Sequence, residues 1–387
     1  MHWTSGASEA KDRSAAIEEA AAGLDADADL LVAFAAPELA DAELSAALRA
    51  RFPRARLVGA TGAGVIGGGR ELEGEAAGLS LTAARLPGVE LVPVDPEAPA
   101  LPSGTRGVLL LAEPYANVPA LVARLNGATD APVFGGIASG GTQAGEFALF
   151  EGESVRRAGA VALAFVGEGL RIDTLVAQGC KPIGDPMIVV DAEKNAIFRL
   201  DRGRALDVLE ELHADLGPDD RALFRHALFL GVQMREKKGV YERGDFLVRN
   251  LVGVDPERRA IAVDARVDRG HPVVQFHLRD AKTSAEDLKA RLAAHEGDAE
   301  GALVFSCLGR GRGLYGVPDH DADRIRARFF AERPKPAAPL GGFFCNGEIG
   351  PLGTAGIDAR RRARTHIHGF TSVFALIYDT SPEAGAP

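Results

Sequence analysis

The chain has 387 residues, of which 46% are hydrophobic and 25% charged, and its formal net charge at pH 7 is −10. This balance is typical of a globular protein with two domains or one large one. The negative charge argues against non-specific binding to nucleic acid or a membrane surface, since both require a basic footprint. No stretch reaches the roughly 18 consecutive apolar residues that span a bilayer. Lys11, Asp12 and Arg13 interrupt the region where a signal peptide would need an apolar run. We therefore expect a cytoplasmic protein without a nucleic-acid or membrane partner.

Residues 1–25 are predicted to form an N-terminal extension with a short amphipathic or frayed helix, and residues 380–387 a disordered tail. Between them one pattern recurs three times: an apolar strand, a helix, an apolar strand that runs into a Gly-rich turn, and a further strand. The opening strands are Leu30–Phe34, Val108–Leu111 and Ala302–Ser306, the helices lie within 44–52, 119–125 and 322–330, and the Gly-rich segments are 56–67, 132–141 and 340–350.

The part of the chain between the second and third copies predicts a domain boundary. An amphipathic helix is indicated by Leu206, Leu209, Leu212 and Leu216, and a polar connection begins at Asp219. We therefore expect one domain over residues 26–220 and a second over residues 221–379. Strands are predicted near residues 227–230, 261–263 and 273–278, followed by a helix from Ser284 to His295 that is capped by Thr283 or Ser284. The predicted fold is α/β or α+β, with mixed β-sheets flanked by helices and built from repeated β-α-β-β units in two domains.

The glycines of the repeats lie where the second strand ends, so that the turn can adopt positive φ or bring its backbone close to a partner. Three such turns in one chain suggest that the backbone of each turn lines one shared cavity. The alternative is that they are ordinary tight turns between strands. Gly62, Gly64 and Gly67 match G-x-G-x-x-G, but Gly68 and Gly69 would break the helix that the dinucleotide fingerprint requires. We therefore expect no dinucleotide site.

The three cysteines, Cys180, Cys307 and Cys345, are too few and too scattered for a disulfide framework. We expect all three to be thiols in a reducing compartment. The sequence contains no C-x-x-C or H-x-x-x-H pair, so no metal site is predicted.

Polar residues interrupt otherwise apolar strands in several places, and a buried polar group must be paired. Five segments, in this order, resemble the FIST family, an N-terminal FIST domain followed by a FIST C-terminal domain, over roughly Asp29–Tyr378. They are Gly135–Gly141, Gln178–Gly184, Val274–Ala281, Ser306–Gly311 and Gly342–Pro351. The resemblance implies an intracellular signal-transduction module that senses small ligands, amino acids being the usual suggestion, and acts through a separate partner. Some bacterial relatives are reported to bind haem and sense nitric oxide by acting on a histidine kinase, which is the alternative that the resemblance implies.

The residues themselves favour an amino-acid-like ligand. Arg310 lies between glycines at a strand end, where its guanidinium could hold a carboxylate through two parallel hydrogen bonds. Glu348, in a Gly-flanked turn, could receive an ammonium group. The alternative is that Arg310 and Glu348, or Arg279 and Asp280, form structural ion pairs. The predicted ligand-binding set is Arg310, Glu348, Asn346, Ser306, Cys307, Arg279, His277, Gly136, Ser139 and Gln178.

Three functions remain open from the sequence. The first is a ligand-binding sensory protein without catalysis or cofactor, and the second is a haem-based gas sensor with His277 as the first axial ligand to test. A lone histidine in a strand is more often a hydrogen-bonded structural residue. The third is an enzyme with Cys307 or Cys180 as nucleophile and His366 or His368 as base, but no Cys–His signature surrounds either cysteine. We therefore expect the first function, with neither catalytic activity nor haem.

Overall fold

A computed structural model describes residues 1–234, 241, 244–351 and 364–381. The chain divides into two compact units: unit 1 comprises Met1–Ala177 and Lys289–Pro387, and unit 2 comprises Gln178–Leu288. Unit 2 is therefore an insertion between two segments of unit 1. This division differs from the predicted domains 26–220 and 221–379, because the last part of the chain completes the sheets of unit 1. The predicted tail, 380–387, lies outside the described residues from residue 382 onward.

The first segment of unit 1 begins with a strand that belongs to a sheet, so residues 2–8 are not an extension. Its strands are β1 (His2–Ser8), β2 (Leu30–Ala35), β3 (Arg56–Thr61), β4 (Gly64–Gly67), β5 (Arg70–Glu73), β6 (Leu79–Arg85), β7 (Glu90–Val94), β8 (Thr105–Ala112), β9 (Val133–Ile137), β10 (Leu149–Glu151), β11 (Ser154–Arg156), β12 (Ala160–Val166) and β13 (Leu170–Gln178). Its helices are α1 (Arg13–Ala20), α2 (Ala42–Arg51) and α3 (Val118–Ala128), with a 3-10 helix at Gly74–Ala76. The side chains of Asp12 and Asp41 cap α1 and α2 by accepting a backbone N–H in the first turn.

Unit 2 contains one antiparallel sheet and helices packed against it. Its strands are β14 (Cys180–Glu193), β15 (Ala196–Leu200), β16 (Gly203–Arg204), β17 (Leu228–Gln233), β18 (Phe246–Asp255), β19 (Ala260–Val263) and β20 (Val273–Arg279), in the order β14-β20-β17-β18-β19-β15-β16. The helices that follow these strands or connect them are α4 (Ala205–Asp215), α5 (Pro218–Phe224) and α6 (Ala281–Ala293). Leu206 and Leu209 of α4 pack into the core formed with Ile261 and Phe276. Helix α6 begins earlier than the predicted Ser284, because Asp280 Oδ1 accepts from Thr283 N at 2.8 Å and so begins the helix.

The second segment of unit 1 supplies the third copy of the repeat. Its elements are β21 (Gly301–Cys307), α7 (Gly311–Tyr315), α8 (His320–Phe329), β22 (Leu340–Cys345), β23 (Glu348–Pro351), β24 (Thr365–His368) and β25 (Thr371–Asp379), with a 3-10 helix at Lys335–Ala337. With this segment, unit 1 has three six-stranded sheets, β1-β6-β2-β3-β10-β11, β7-β12-β8-β9-β23-β24 and β13-β25-β21-β22-β4-β5.

The three sheets share one topology, which confirms the predicted repeats. In each sheet two central parallel strands are connected through a helix (β2 with β3, β8 with β9, β21 with β22), and an antiparallel strand flanks the first of them (β6, β12, β25). The hairpin at the edge comes from a different copy each time: β10-β11 from the second copy joins the first sheet, β23-β24 from the third joins the second, and β4-β5 from the first joins the third. The three copies are closed into a ring by this exchange of hairpins.

The inner faces of the three sheets share one core. Phe34 of the first copy stacks on Phe343 of the third with ring centroids 4.5 Å apart, and Phe134 of the second copy lies 6.4 Å from Phe305 of the third. The outer faces are buried under helices, as where Leu31 of β2 packs with Leu44 and Leu48 of α2. Burial of both faces explains why the central strands are continuous apolar runs rather than alternating ones.

Candidate functional site

The three Gly-rich segments meet in unit 1. Strand β4 pairs with β22, and Gly136 of β9 faces Glu348 of β23. Ser139 joins all three copies, because its buried hydroxyl accepts from Ala63 N at 2.9 Å and donates to Phe344 O at 2.5 Å. The three Gly-rich segments therefore lie together, with Ser139 hydrogen-bonded to the other two copies, and a cavity shared by them stays a prediction.

One glycine in each second strand requires the absence of a side chain. An added Cβ at Gly59, Gly135 or Gly342 would lie 1.8, 1.8 and 2.0 Å, respectively, from the carbonyl oxygen of the facing strand. Only glycine permits this approach of two backbones. Gly59, Gly135 and Gly342 therefore occupy the same structural position in the three copies, and the three sequences can be aligned on these glycines.

Aligned in this way, the third copy carries polar side chains where the other two carry small or apolar ones. The positions of Cys345 and Glu348 are occupied by Gly62 and Val65 in the first copy and by Ala138 and Gly141 in the second. The first two copies build the same sheet without these polar groups, so the fold does not require them. We therefore take them as the centre of the candidate site.

The strand-end cluster, defined as Cys307, Cys345, Glu348 and Thr371, is built around a fully buried carboxylate. Glu348 Oε2 accepts from Thr371 N at 3.1 Å and from Thr371 Oγ1 at 2.6 Å. Glu348 Oε1 accepts from Cys345 Sγ at 3.8 Å. Burial, together with the neighbouring charges of Glu348 and Cys307, raises the pKa of the Cys345 thiol well above its ordinary value.

Cys307 is the last residue of β21 and the register partner of Cys345 on the neighbouring parallel strand. It is half-buried, whereas Cys345 is fully buried. Gly309 N donates to Cys307 Sγ at 3.5 Å. The two thiols therefore lie side by side at the carboxyl ends of the central strands, one of them reachable from solvent.

Two further predicted residues, Ser306 and Asn346, flank the strand-end cluster. Ser306 O accepts from Cys345 Sγ at 3.4 Å, and Ser306 Oγ is buried without a hydrogen-bond partner in the described part of the chain. Asn346 is exposed between β22 and β23, and its backbone N donates to Ile137 O at 2.9 Å. The amide of Asn346 is therefore the accessible polar side chain of this turn.

Arg310 does not have the geometry of the predicted ligand clamp. Its guanidinium is buried, and it forms a two-pronged ion pair with Asp321 at the start of α8, with Nε–Oδ2 at 2.8 Å and Nη2–Oδ1 at 3.1 Å. The side of the guanidinium that was predicted to hold a ligand carboxylate is therefore occupied, and that prediction is wrong for this structure. The alternative, a structural ion pair, is correct, with Asp321 as the partner in place of Glu348.

Glu71 completes what we name the α8 cluster (Glu71, Arg310, His320 and Asp321). Burial alone would raise the pKa of Asp321, but the charge of Arg310 and hydrogen bonds from His320 and Arg310 outweigh it and hold that pKa well below its usual range. Glu71 Oε1 accepts from Asp321 N at 3.0 Å and from Ala322 N at 2.8 Å. Burial and the charge of Asp321 raise the pKa of Glu71 to about 8. The exchanged hairpin β4-β5 is thus hydrogen-bonded through Glu71 to the first turn of α8.

Three predicted site residues, Gln178, His277 and Arg279, lie in unit 2 and are described with it. The His277 ring is buried, with Nδ1 2.9 Å from Gln275 O and its edge against Phe246 at a centroid distance of 5.6 Å. Gln178 Nε2 donates to Phe246 O at 3.0 Å, and Arg279 is the last residue of β20. Gln178 and His277 therefore contact residues of the unit 2 sheet, and their role in ligand binding stays a prediction.

No group of three or more His, Cys, Asp or Glu side chains suited to a metal ion occurs among the residues that the structure describes. Within the same residues, no helix combines the length and the apolar character needed to cross a membrane.

The chain belongs to the FIST family. A FIST N domain matches residues 29–202 and a FIST C domain matches residues 205–351. The uncharacterized protein Rv0628c of Mycobacterium tuberculosis (strain H37Rv) is 37% identical over 358 residues, which cover 87% of each chain. The uncharacterized protein Mb0898c of Mycobacterium bovis is 39% identical over 278 residues, which cover 70% of this chain and 67% of that protein. FIST domains are sensory domains of signal transduction, and this sets the class of function.

The predicted ligand-binding set did not include Asp321, Glu71 or Thr371. Asp321 lies in the first turn of a helix with charged neighbours, a pattern typical of exposed positions, and its burial follows from a hairpin contributed by a distant part of the chain. Aligning the three copies on their glycines could have placed Cys345 beside Cys307, because the register of the central strands is the same in each copy.

Proposed function

We propose that the chain is a sensor that binds a small amino-acid-like ligand at the strand-end cluster and passes the signal to a separate partner protein, such as a histidine kinase. The observation that carries this proposal is Glu348, a fully buried carboxylate at a position that the other copies fill with Val65 and Gly141. A buried charge costs stability unless it is paired. Glu348 is paired with Thr371, yet the other two copies build the same sheet without a carboxylate at this position, and this difference supports a functional role for Glu348.

The chemistry of Glu348 favours a ligand with an ammonium group. Oε1 of Glu348 accepts from the thiol of Cys345, and a thiol is a weak donor. An ammonium group would be a stronger, charge-assisted partner for the same oxygen. The exposed amide of Asn346 supplies a donor for the carboxylate of the ligand. Arg310 supports the loop after Cys307 through Asp321, and so positions the cluster without binding the ligand itself.

The test is a thermal-shift screen of α-amino acids, each paired with the carboxylic acid that lacks the amino group. We expect at least one amino acid to raise the melting temperature of the full chain, and its des-amino partner to have no effect. A ligand at about 100 times its Kd stabilises the folded state by roughly 2.7 kcal/mol. Glu348→Gln should abolish this stabilisation. Glu113→Gln is the matched control, because Glu113 is also a buried carboxylate at a strand end, where it accepts from Tyr115 N at 2.8 Å.

Two outcomes would contradict the proposal. The first is equal stabilisation by amino acids and their des-amino partners, since the ammonium would then contribute nothing. The second is a ligand-induced shift that survives Glu348→Gln in a variant that remains folded.

A further inference from the structure

The two thiols of the strand-end cluster have a geometry and a chemical asymmetry that ligand binding does not explain. We propose that Cys307 and Cys345 form a reversible disulfide when the protein meets a peroxide, with Cys307 oxidised first and Glu348 accepting the proton of Cys345. This inference does not depend on the identity of any ligand.

The first argument is the placement of the two residues. Cys307 and Cys345 are register partners on the parallel strands β21 and β22. Neighbouring strands lie about 4.8 Å apart, and disulfides join residues whose Cα atoms are roughly 4.4–6.8 Å apart. Register partners project to the same face of a sheet. Each cysteine ends its strand and is followed within two residues by a glycine, Gly309 or Gly347, so the chain ends can adjust to the bond.

The second argument is that Cys307 is suited to be the nucleophile. It is half-buried, and Gly309 N donates to its sulfur at 3.5 Å. Arg310 N donates to Cys307 O at 2.8 Å, so the positively charged Arg310 belongs to the same turn as Cys307. A nearby cation and a backbone N–H stabilise a thiolate, which is the form of cysteine that attacks peroxides.

The third argument is that Cys345 is suited to resolve the oxidised Cys307. It is fully buried, so peroxide reaches Cys307 first. Its one S–H faces two acceptors, Ser306 O at 3.4 Å and Glu348 Oε1 at 3.8 Å, and of these two the carboxylate is the base that can take the proton. A positioned base within reach of a proton is the requirement for general base catalysis.

The two steps balance with hydrogen peroxide as the oxidant. In the first step the thiolate of Cys307 attacks one peroxide oxygen, the O–O bond breaks, and an S–O bond forms as sulfenic acid. The departing hydroxide takes a proton and leaves as water. In the second step Cys345 gives its proton to Glu348 and attacks the sulfur of Cys307, so that an S–S bond forms and the S–O bond breaks. The hydroxide released takes the proton from Glu348 and leaves as a second water, and the peroxide has been reduced by the two electrons of the dithiol.

The experiment treats the reduced full chain with hydrogen peroxide and follows intact mass and peptide maps. We expect the wild-type mass to fall by two hydrogens, with peptides containing Cys307 and Cys345 joined and the change reversed by dithiothreitol. Cys345→Ser should stop at the sulfenic acid of Cys307, trapped by dimedone. Cys307→Ser should give neither product. Cys180→Ser is the matched control and should behave as wild type.

Glu348→Gln tests the proton acceptor separately. We expect this variant to form the sulfenic acid at the wild-type rate and to close the disulfide about a hundredfold more slowly. A merely structural role for Glu348 would change both rates together or neither. The proposal is overturned if wild-type Cys307 accumulates as a stable sulfenic acid, or if the only disulfides formed join Cys180 or two separate chains.

Discussion

At the scale of single residues, the α8 cluster shows which part of the site can be predicted from the sequence. A glycine-flanked arginine at a strand end is compatible with a ligand clamp and with a structural ion pair, and both were predicted for Arg310. The choice depends on Asp321, eleven residues further on, and on Glu71, which lies 250 residues before Asp321. The contact between Glu71 and Asp321 cannot be predicted from a local sequence pattern, because 250 residues separate them. Glu348, in contrast, was identified because a carboxylate in an otherwise apolar strand is informative wherever its partner lies.

Arg310→Ala should destabilise the folded chain by about 3–5 kcal/mol, because it leaves the carboxylate of Asp321 buried without its cation. Arg310→Lys should restore only part of this, since an ammonium group cannot make the two-pronged contact. Denaturant unfolding measures both changes. Arg312→Ala, at an exposed position of the neighbouring helix α7, is the control and should lie within about 0.5 kcal/mol of wild type. Equal stability of Arg310→Ala and Arg312→Ala would refute the buried ion pair.

Glu71 makes stability depend on pH in a definite direction. Its pKa is raised from 4.5 to about 8 in the folded chain, so between these pH values the folded state keeps a proton that the unfolded state loses. The contribution of Glu71 to the free energy of unfolding therefore falls as pH rises from about 4.5 to about 8, by at most about 1.4 kcal/mol per pH unit. Glu71→Gln keeps a neutral side chain at every pH and should remove this dependence.

The measurement is chemical denaturation of wild type and Glu71→Gln at several pH values from 4 to 9. The advantage of the variant should grow towards pH 8 and then level off. Glu75→Gln, in the exposed 3-10 helix, should keep the wild-type profile. Parallel pH profiles for wild type and Glu71→Gln would contradict the raised pKa.

At the scale of elements, the central strands were predictable because burial of both faces makes them short continuous apolar runs. Strand β14, which spans 14 residues, was missed because Pro182, Gly184 and Pro186 interrupt it. The sheet tolerates Gly184 and Pro186 because the register of β14 against β20 shifts between Ile183 and Met187. Strand β14 also pairs with β15 through Val189–Glu193, so it is not an edge strand. The exchange of hairpins could not be predicted from the sequence either, because it depends on strand pairing between copies that are far apart along the chain.

Gly135→Ala should destabilise unit 1 by about 3 kcal/mol or more, because the new Cβ would lie 1.8 Å from Leu110 O. Gly127→Ala is the matched substitution, since Gly127 lies in α3 with nothing within 4 Å of an added Cβ. That change should stabilise the chain by about 0.5–1 kcal/mol through helix propensity. Thermal unfolding distinguishes the two, and a neutral Gly135→Ala would show that the facing strands can separate without cost.

At the scale of the whole molecule, the insertion of unit 2 separates the predicted site residues into two groups. Ser139, Cys307 and Glu348 lie in unit 1, whereas Gln178 and His277 lie in unit 2. Motif order along the chain identified the family, because order is kept whatever the spatial arrangement. The order of the motifs could not show which unit each residue belongs to, because an inserted unit does not change the sequence pattern of strands and helices.

The purified protein should carry no stoichiometric haem. The histidine first assigned to that role, His277, is buried in the sheet of unit 2 with its Nδ1 against Gln275 O and its ring against Phe246. The measurement is an absorption spectrum recorded across a gel-filtration peak after expression with added haem precursor. A Soret band that follows the protein would overturn this prediction and would favour the gas-sensing alternative over an amino-acid ligand.

The exchange of hairpins in unit 1 has a consequence for how such a fold can arise. Each repeat gives its hairpin to the sheet of one neighbour and receives one from the other, so a single repeat on its own would have an incomplete sheet and an unpaired hairpin. Three separate chains of one repeat could satisfy both by closing a cyclic trimer with swapped hairpins. Unit 1 has the connectivity of such a trimer with its three subunits fused into one polypeptide. Fusion releases the subunits from being identical, and this allows one of them to carry Cys345 and Glu348 where the other two have Gly62 and Val65 or Ala138 and Gly141.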